Sequence, residues 1–187
     1  LTGATGALGG SLVLSLTEAK AKIVILGRNQ SLLDALLTKI SPSTESAAFV
    51  VDVLDKKSLE EVKNQIIKQF GHIDILINAV GGNLPGAVIA DDQSIFDLSV
   101  PDFDEVMDLN LKGTVLPSLV FGKSMSEKGK GAIVNYSSMT VDQALTRVVG
   151  YSAAKAAMEN FTRWMAVEMA LKFGDGIRVN AIAPGFF

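Results

Sequence analysis

The chain has no cysteine, one histidine (His72), one tryptophan and five prolines among its 187 residues. Without thiols it has no disulfide, no thiolate zinc site and no cysteine nucleophile, and a lone imidazole does not build a metal cluster. His72 reads instead as a surface residue opening a strand. Blocks of like charge are also missing. Seventeen basic against 20 acidic residues give a formal net charge of -3, so there is no electrostatic footprint for nucleic acid. No uninterrupted apolar run reaches membrane-spanning length, and no basic-then-apolar leader opens the chain. A cytoplasmic location is therefore expected, with neither a membrane nor a nucleic acid as partner. An initiator methionine is missing too. With its start at Leu1-Thr2-Gly3 and its end at Pro184-Gly185-Phe186-Phe187, the sequence reads as truncated at both ends, lacking most of a first strand.

What is present is a core-forming composition, 48% hydrophobic and 20% charged, suited to a single domain over residues 1–187. Apolar, β-branched runs at 23–26, 48–51, 73–78, 132–136 and 177–182 read as buried parallel strands. Helical patterns at 7–19, 30–40, 57–70, 103–127 and 151–173 alternate with them. Repeated strand, helix, strand units imply α/β architecture: a doubly wound parallel sheet of the Rossmann type in three αβα layers. The stretch 81–101 carries glycine, proline and acidic residues and reads as an ordered loop beside the site.

The opening Thr2-Gly3-Ala4-Thr5-Gly6-Ala7-Leu8-Gly9-Gly10 places small residues between a strand end and a helix start. There, backbone amides and the helix dipole can hold a pyrophosphate, with Gly3, Thr5, Gly6, Leu8 and Gly9 as contacts. The alternative is a tight turn that only packs helix on sheet. After the second strand, Gly27-Arg28-Asn29 offers no acid for a ribose 2′-hydroxyl, whereas Arg28 suits a 2′-phosphate. NADP is favoured over NAD on that ground, a solvated arginine being the alternative. Asp52 and Val53 close the third strand, and Asn78-Ala79-Val80-Gly81 the fourth, at the carboxyl ends where open parallel sheets bind ligands. Asp52 can meet the adenine amino group or cap the next helix. Asn78 can lie by the cofactor or tie strand ends.

Tyr151 and Lys155 stand one helical turn apart and share a helix face. A free phenol, with a pKa of about 10, releases its proton reluctantly, and a neighbouring ammonium favours the phenolate. The pair can protonate a carbonyl oxygen as hydride arrives, or remove a hydroxyl proton in reverse. Ser138, at the end of the fifth strand, can hydrogen-bond the same oxygen. Asn110, inside the preceding helix, can hold a water that links Lys155 to solvent.

With Ser138, Tyr151, Lys155 and Asn110 in this order behind a glycine-rich opening, the chain resembles the short-chain dehydrogenase/reductase family over essentially its whole length. The family's T-G-x-x-x-G-x-G maps onto Thr2, Gly3 and Gly9, with Ala7 at its middle glycine. Its Asn-Asn-Ala-Gly maps onto Asn78 to Gly81, with Ala79 and Val80 departing, and its Pro-Gly turn onto Pro184-Gly185. The resemblance implies that Lys155 also holds the nicotinamide ribose, that Pro184 and Gly185 border the cofactor, and that a substrate loop begins past Phe187. A narrower resemblance is to members described as D-mannonate oxidoreductases, or fructuronate reductases. It rests on the Gly-Ala-Leu-Gly-Gly opening, the lengthened loop from Gly81-Gly82-Asn83 to Phe96-Asp97-Leu98, and Tyr151-Ser-Ala-Ala-Lys155. A keto or hydroxy sugar acid is then the expected substrate, with Arg147 for its carboxylate and Asn83 for a hydroxyl or carbonyl. A ketoacyl thioester, a polyol or a non-catalytic redox sensor are the alternatives. Helix 151–173 carries Ala154, Met158, Phe161, Met165 and Met169 on one side and further apolar residues around it. In relatives this helix and the one before it pack between subunits, which implies a homotetramer or a dimer.

Overall fold

The structure, a computed structural model, describes residues 1–185; Phe186 and Phe187 of the expected Pro-Gly-Phe-Phe end lie outside the described residues. Among the described residues five parallel strands alternate with six α-helices. The order is α1 (Ala7–Glu18), β1 (Ile23–Gly27), α2 (Gln30–Leu37), β2 (Ser46–Val50), α3 (Lys56–Phe70), β3 (Ile75–Asn78), α4 (Val100–Met107), α5 (Gly113–Lys128), β4 (Gly131–Tyr136), α6 (Val149–Phe173) and β5 (Ile177–Ile182). Local chemistry sets these limits. The Asn29 side chain caps α2 by accepting from Leu32 N–H, and Asp55 caps α3 by accepting from Lys57 and Ser58 N–H. Gly71 and Gly129 end α3 and α5.

The strands pair in parallel. Ile23 lies opposite Ser46, Ile75 opposite Ala132, and Gly131 opposite Ile177. Thr2 joins the two halves, bridging Leu26 on one side and Asn78 on the other, so the sheet runs β2, β1, Thr2, β3, β4, β5.

Alternation along β1 distributes the core. Ile23 and Ile25 pack with Val13, Leu33 and Leu36 of α1 and α2, while Val24 and Leu26 turn to the face covered by α3, α5 and α6. That larger layer buries Leu59, Val62, Ile66, Phe121, Met125, Ile133, Met165 and Met169. Each such side chain contributes about 2 kcal/mol when fully withdrawn from water. Among the described residues no helix is long and apolar enough to cross a membrane.

Several expected bounds shift, the helix at 30–40 ending at Leu37 and the strand at 48–51 running Ser46–Val50, and three elements differ further. The single helix expected at 103–127 begins at Val100, where Ser99 caps it by accepting from Asp102 N–H and Pro101 occupies its first turn. A π turn at Asp108–Lys112 then separates α4 from α5. The strand expected at 73–78 starts only at Ile75; the Asp74 carbonyl just before it still accepts from Ala132 N–H at 2.8 Å, while the exposed side chains of His72 and Asp74 pair with one another. The loop leading into α4 contains two 3-10 turns, Pro85–Ala87 and Ile95–Asp97, the second closed by a reciprocal Ser94 and Asp97 cap.

Candidate active site

The carboxyl ends of β1, β2, β3, β4 and β5 form one edge, and the expected site residues fall along it. At the opening turn, Gly3 has φ 67°, and a Cβ on Gly9 would sit 2.1 Å from the Gly3 carbonyl oxygen. Only glycine allows that approach, which brings α1 end-on to the sheet. Gly6 caps α1 without any side-chain hydrogen bond, and its first turn has no acidic residue. The leading amides are thus open to an anion, with Thr5 and Leu8 flanking them.

Arg28 is exposed after β1 and has no ion-pair partner among the described residues. Asn29 has its oxygen committed to Leu32 N–H at 3.1 Å. Asp52, exposed after β2, accepts from Leu54 N–H at 2.9 Å, and the helix cap it was offered falls to Asp55. Val53 is buried, and with Val80 it borders the space where a Cβ on Gly113 would lie. These groups fit a dinucleotide: open amides, a free guanidinium and an exposed carboxylate stand in sequence along one edge.

Asn78 takes the second of its two expected roles. It is 1% exposed, and its amide donates to Ser118 Oγ and Asn135 Oδ1, both at 2.9 Å. Asn135 in turn donates to Thr162 Oγ1 at 2.8 Å. This buried chain ties β3 and β4 to α5 and α6, so the Asn78 side chain is unavailable to a cofactor. Sequence reading passed over Thr114, Ser118, Asn135 and Thr162. The spacing by four of Asn110, Thr114 and Ser118 in an apolar helix was the signal.

Beyond Asn78, Gly81 marks where the catalytic candidates meet. A Cβ there would lie 2.6 Å from Asn110 Oδ1 and 3.0 Å from Lys155 Nζ. Asn110 is fully buried in the π turn. Its amide donates to the Gly82 carbonyl at 2.7 Å and the Val106 carbonyl at 2.9 Å, and its oxygen accepts from Gly82 N–H at 3.1 Å. The Asn110 side chain thus grips the backbone of the 81–99 loop.

Lys155 is 3% exposed and donates to the Tyr136 carbonyl at 2.7 Å, with Nζ 5.6 Å from the centre of the Tyr151 ring. Burial lowers its pKa from 10.5 to about 8. Ser138, just beyond β4, accepts at Oγ from Thr140 N–H at 3.2 Å, which leaves its own proton free to donate. Met139 N–H donates to the Pro184 carbonyl at 3.1 Å, fixing the Pro184-Gly185 end beside this turn. Among the described residues two buried side-chain polar atoms have no partner: Asn83 Nδ2 and Thr140 Oγ1. Thr140 was not anticipated. Arg147, expected at a substrate carboxylate, is engaged by the chain itself: Nε donates to the Ile89 carbonyl at 2.7 Å and Nη1 pairs with Asp91 at 2.9 Å.

The family model described as short chain dehydrogenase matches residues 1–187. The chain belongs to the short-chain dehydrogenase family. Like other members, it is an NAD(P)-dependent oxidoreductase with a Rossmann-like parallel sheet. It is 41% identical over 196 residues to the uncharacterized oxidoreductase UxuB of Bacillus subtilis (strain 168), covering 100% of this chain and 69% of the relative. It is 31% identical to the D-threitol dehydrogenase of Mycolicibacterium smegmatis, over 98% of this chain and 67% of the relative. Among solved structures, it superposes with a TM-score of 0.91 and 39% identity on a Haemophilus influenza protein provisionally described as a D-mannonate oxidoreductase, with NAD bound; the match covers 100% of this chain and 69% of that one.

Proposed function

We propose that this dehydrogenase interconverts a keto sugar acid and its hydroxy acid, of the D-fructuronate and D-mannonate type, with Tyr151 as general acid and base. The observation that carries the reading is the meeting of Asn110 and Lys155 at Gly81, with the Tyr151 ring centre 5.6 Å from Lys155 Nζ and Ser138 oriented by Thr140 on the adjoining strand end. The nicotinamide cofactor, when bound, supplies or accepts hydride at the substrate carbon. In the reducing direction the Tyr151 hydroxyl gives its proton to the carbonyl oxygen, and the Ser138 hydroxyl donates a hydrogen bond to that oxygen as charge gathers on it. Lys155, as ammonium, stabilises the phenolate that remains and would hold the ribose hydroxyls of the cofactor. Asn110 keeps the Gly81-Gly82 turn in place beside both.

On the cofactor side we assign Gly3, Thr5, Gly6, Leu8 and Gly9 to the pyrophosphate, Asp52 and Val53 to the adenine, and Val80, Gly81, Pro184 and Gly185 to the nicotinamide half. Arg28 and Asn29 border the adenine ribose; the free guanidinium favours NADP, while the NAD in the Haemophilus structure supports NAD. The unpartnered amide of Asn83 and hydroxyl of Thr140 suit an oxygen-rich substrate, since buried polar groups take partners. The D-threitol dehydrogenase relative supports a second reading, a polyol substrate. Trp164, Val167 and Leu171, exposed along α6, are assigned to assembly as a homotetramer or dimer in the cytoplasm.

The test is nicotinamide absorbance with NADH and NADPH against D-fructuronate, keto acids and ketoses. Turnover of fructuronate is expected, and Tyr151→Phe should lower kcat about a thousandfold. Activity on ketoses alone would replace the sugar-acid reading by the polyol one. Full turnover in Tyr151→Phe would remove Tyr151 from its role.

A further inference from the structure

Arg147 and Lys20 are the two non-glycine residues with positive φ among those described, Arg147 at 75°. An arginine adopts that region rarely, because its Cβ crowds the backbone, so neighbouring contacts must impose it. Those contacts come from the 81–99 loop. Ile89 N–H donates to the Arg147 carbonyl at 3.0 Å, and Arg147 Nε donates back to the Ile89 carbonyl at 2.7 Å. This reciprocal pair joins segments far apart in sequence, immediately before α6 begins at Val149 and brings Tyr151 into its first turn. At its other end the same loop is gripped by Asn110 through Gly82. Asn83, with its unpartnered amide, lies between the two fastenings.

We infer that Arg147 is a positioning residue, which fastens the 81–99 loop to the leading turn of the Tyr151 helix and so sets the substrate-side wall relative to the Tyr151 hydroxyl. The inference rests on the hydride-transfer reading above and differs from a direct carboxylate contact. Two of the three Arg147 contacts are to Ile89 backbone. The third partner, Asp91, is 89% exposed, and such a pair contributes little. The fastening is therefore indifferent to whether the substrate carries a carboxylate.

Arg147→Gly deletes the guanidinium yet supplies a residue at ease with positive φ, so the fold survives. With the cofactor bound, amide exchange at Ile89 should quicken about tenfold, and KM should rise about tenfold for carboxylate and neutral substrates alike, with kcat and cofactor KM within about threefold. Asp91→Asn should change little. An unchanged KM, or a rise confined to carboxylate substrates, overturns the inference, as does a lower carboxylate KM in Asp91→Asn, which would mean the guanidinium had been withheld from substrate. If no substrate in the panel turns over, the sugar-acid reading has failed separately. Ile89 exchange, measured with cofactor alone, then decides the fastening, and unchanged exchange overturns it.

Discussion

Along the carboxyl edge of the sheet, the glycine turn at residues 3–9 and the loop at 81–99 are closed by different materials. In the turn, backbone meets backbone: a Cβ on Gly3 would lie 2.5 Å from the Ala79 carbonyl, and one on Gly9 2.1 Å from the Gly3 oxygen. The loop is held by side chains, chiefly those of Asn110 and Arg147, and leaves Phe96 94% exposed. Backbone cannot rearrange to admit an added atom, whereas side chains can change identity while the strands stay in place. The cofactor side is thus rigid in sequence as well as in space. The substrate side is where a family can vary its specificity without disturbing the sheet.

The comparison predicts its largest effect at Gly9. Gly9→Ala forces a methyl group into the Gly3 carbonyl, and the turn must open or α1 must move away. A loss of about 3 kcal/mol in stability is expected, together with loss of cofactor binding. Thermal unfolding and titration with NADH or NADPH would check both. A stable variant that still binds cofactor tightly would show the turn to be as adaptable as the loop.

This contrast also explains what could be read from residues alone. The alternation of Ile23 and Ile25 against Val24 and Leu26 is a local pattern, so β1 and its two-faced packing were legible, as was the parallel α/β order. The glycine turn was legible because close backbone approach demands particular residues. Tyr151 and Lys155 were visible as partners because one helix turn relates them. The π turn was not, nor was the contact its Asn110 makes with Gly82 across 28 residues of sequence. Nor was the engagement of Arg147, whose partner Ile89 is an apolar residue used through its backbone. Side-chain-to-backbone contacts over long separations leave no periodicity to detect. Asn78 shows the intermediate case: its strand-end position was plain, but its commitment to Asn135 and Ser118 required the packed structure.

At Gly81 the two regimes meet, and an intermediate effect is expected. A methyl group on Gly81 meets Asn110 Oδ1 at 2.6 Å and Lys155 Nζ at 3.0 Å, both side-chain atoms that can withdraw. Gly81→Ala should therefore fold, losing about 1–2 kcal/mol, while kcat falls about thirtyfold as Lys155 and Asn110 are pushed from their places. Unfolding midpoints set beside kcat would separate these outcomes. A variant with unchanged kcat would detach Asn110 and Lys155 from the chemistry.

At neutral pH the smallest effect concerns protons. Burial lowers the Lys155 pKa from 10.5 to about 8. Above that value the folded enzyme loses the ammonium, so kcat/KM should fall with a midpoint near pH 8, by about tenfold per unit beyond it. Stability should move the opposite way. Between pH 8 and 10.5 the unfolded chain keeps the Lys155 proton that the folded chain has released, and stability rises with pH wherever the unfolded state binds more protons. Without cofactor, the Tm of the parent enzyme should accordingly climb relative to that of Lys155→Met as pH passes from 8 toward 10. A constant difference between the two Tm values would mean that Lys155 is not desolvated. The falling activity limb would then belong to another group, and the substrate and cofactor sides would no longer be joined through this one buried charge.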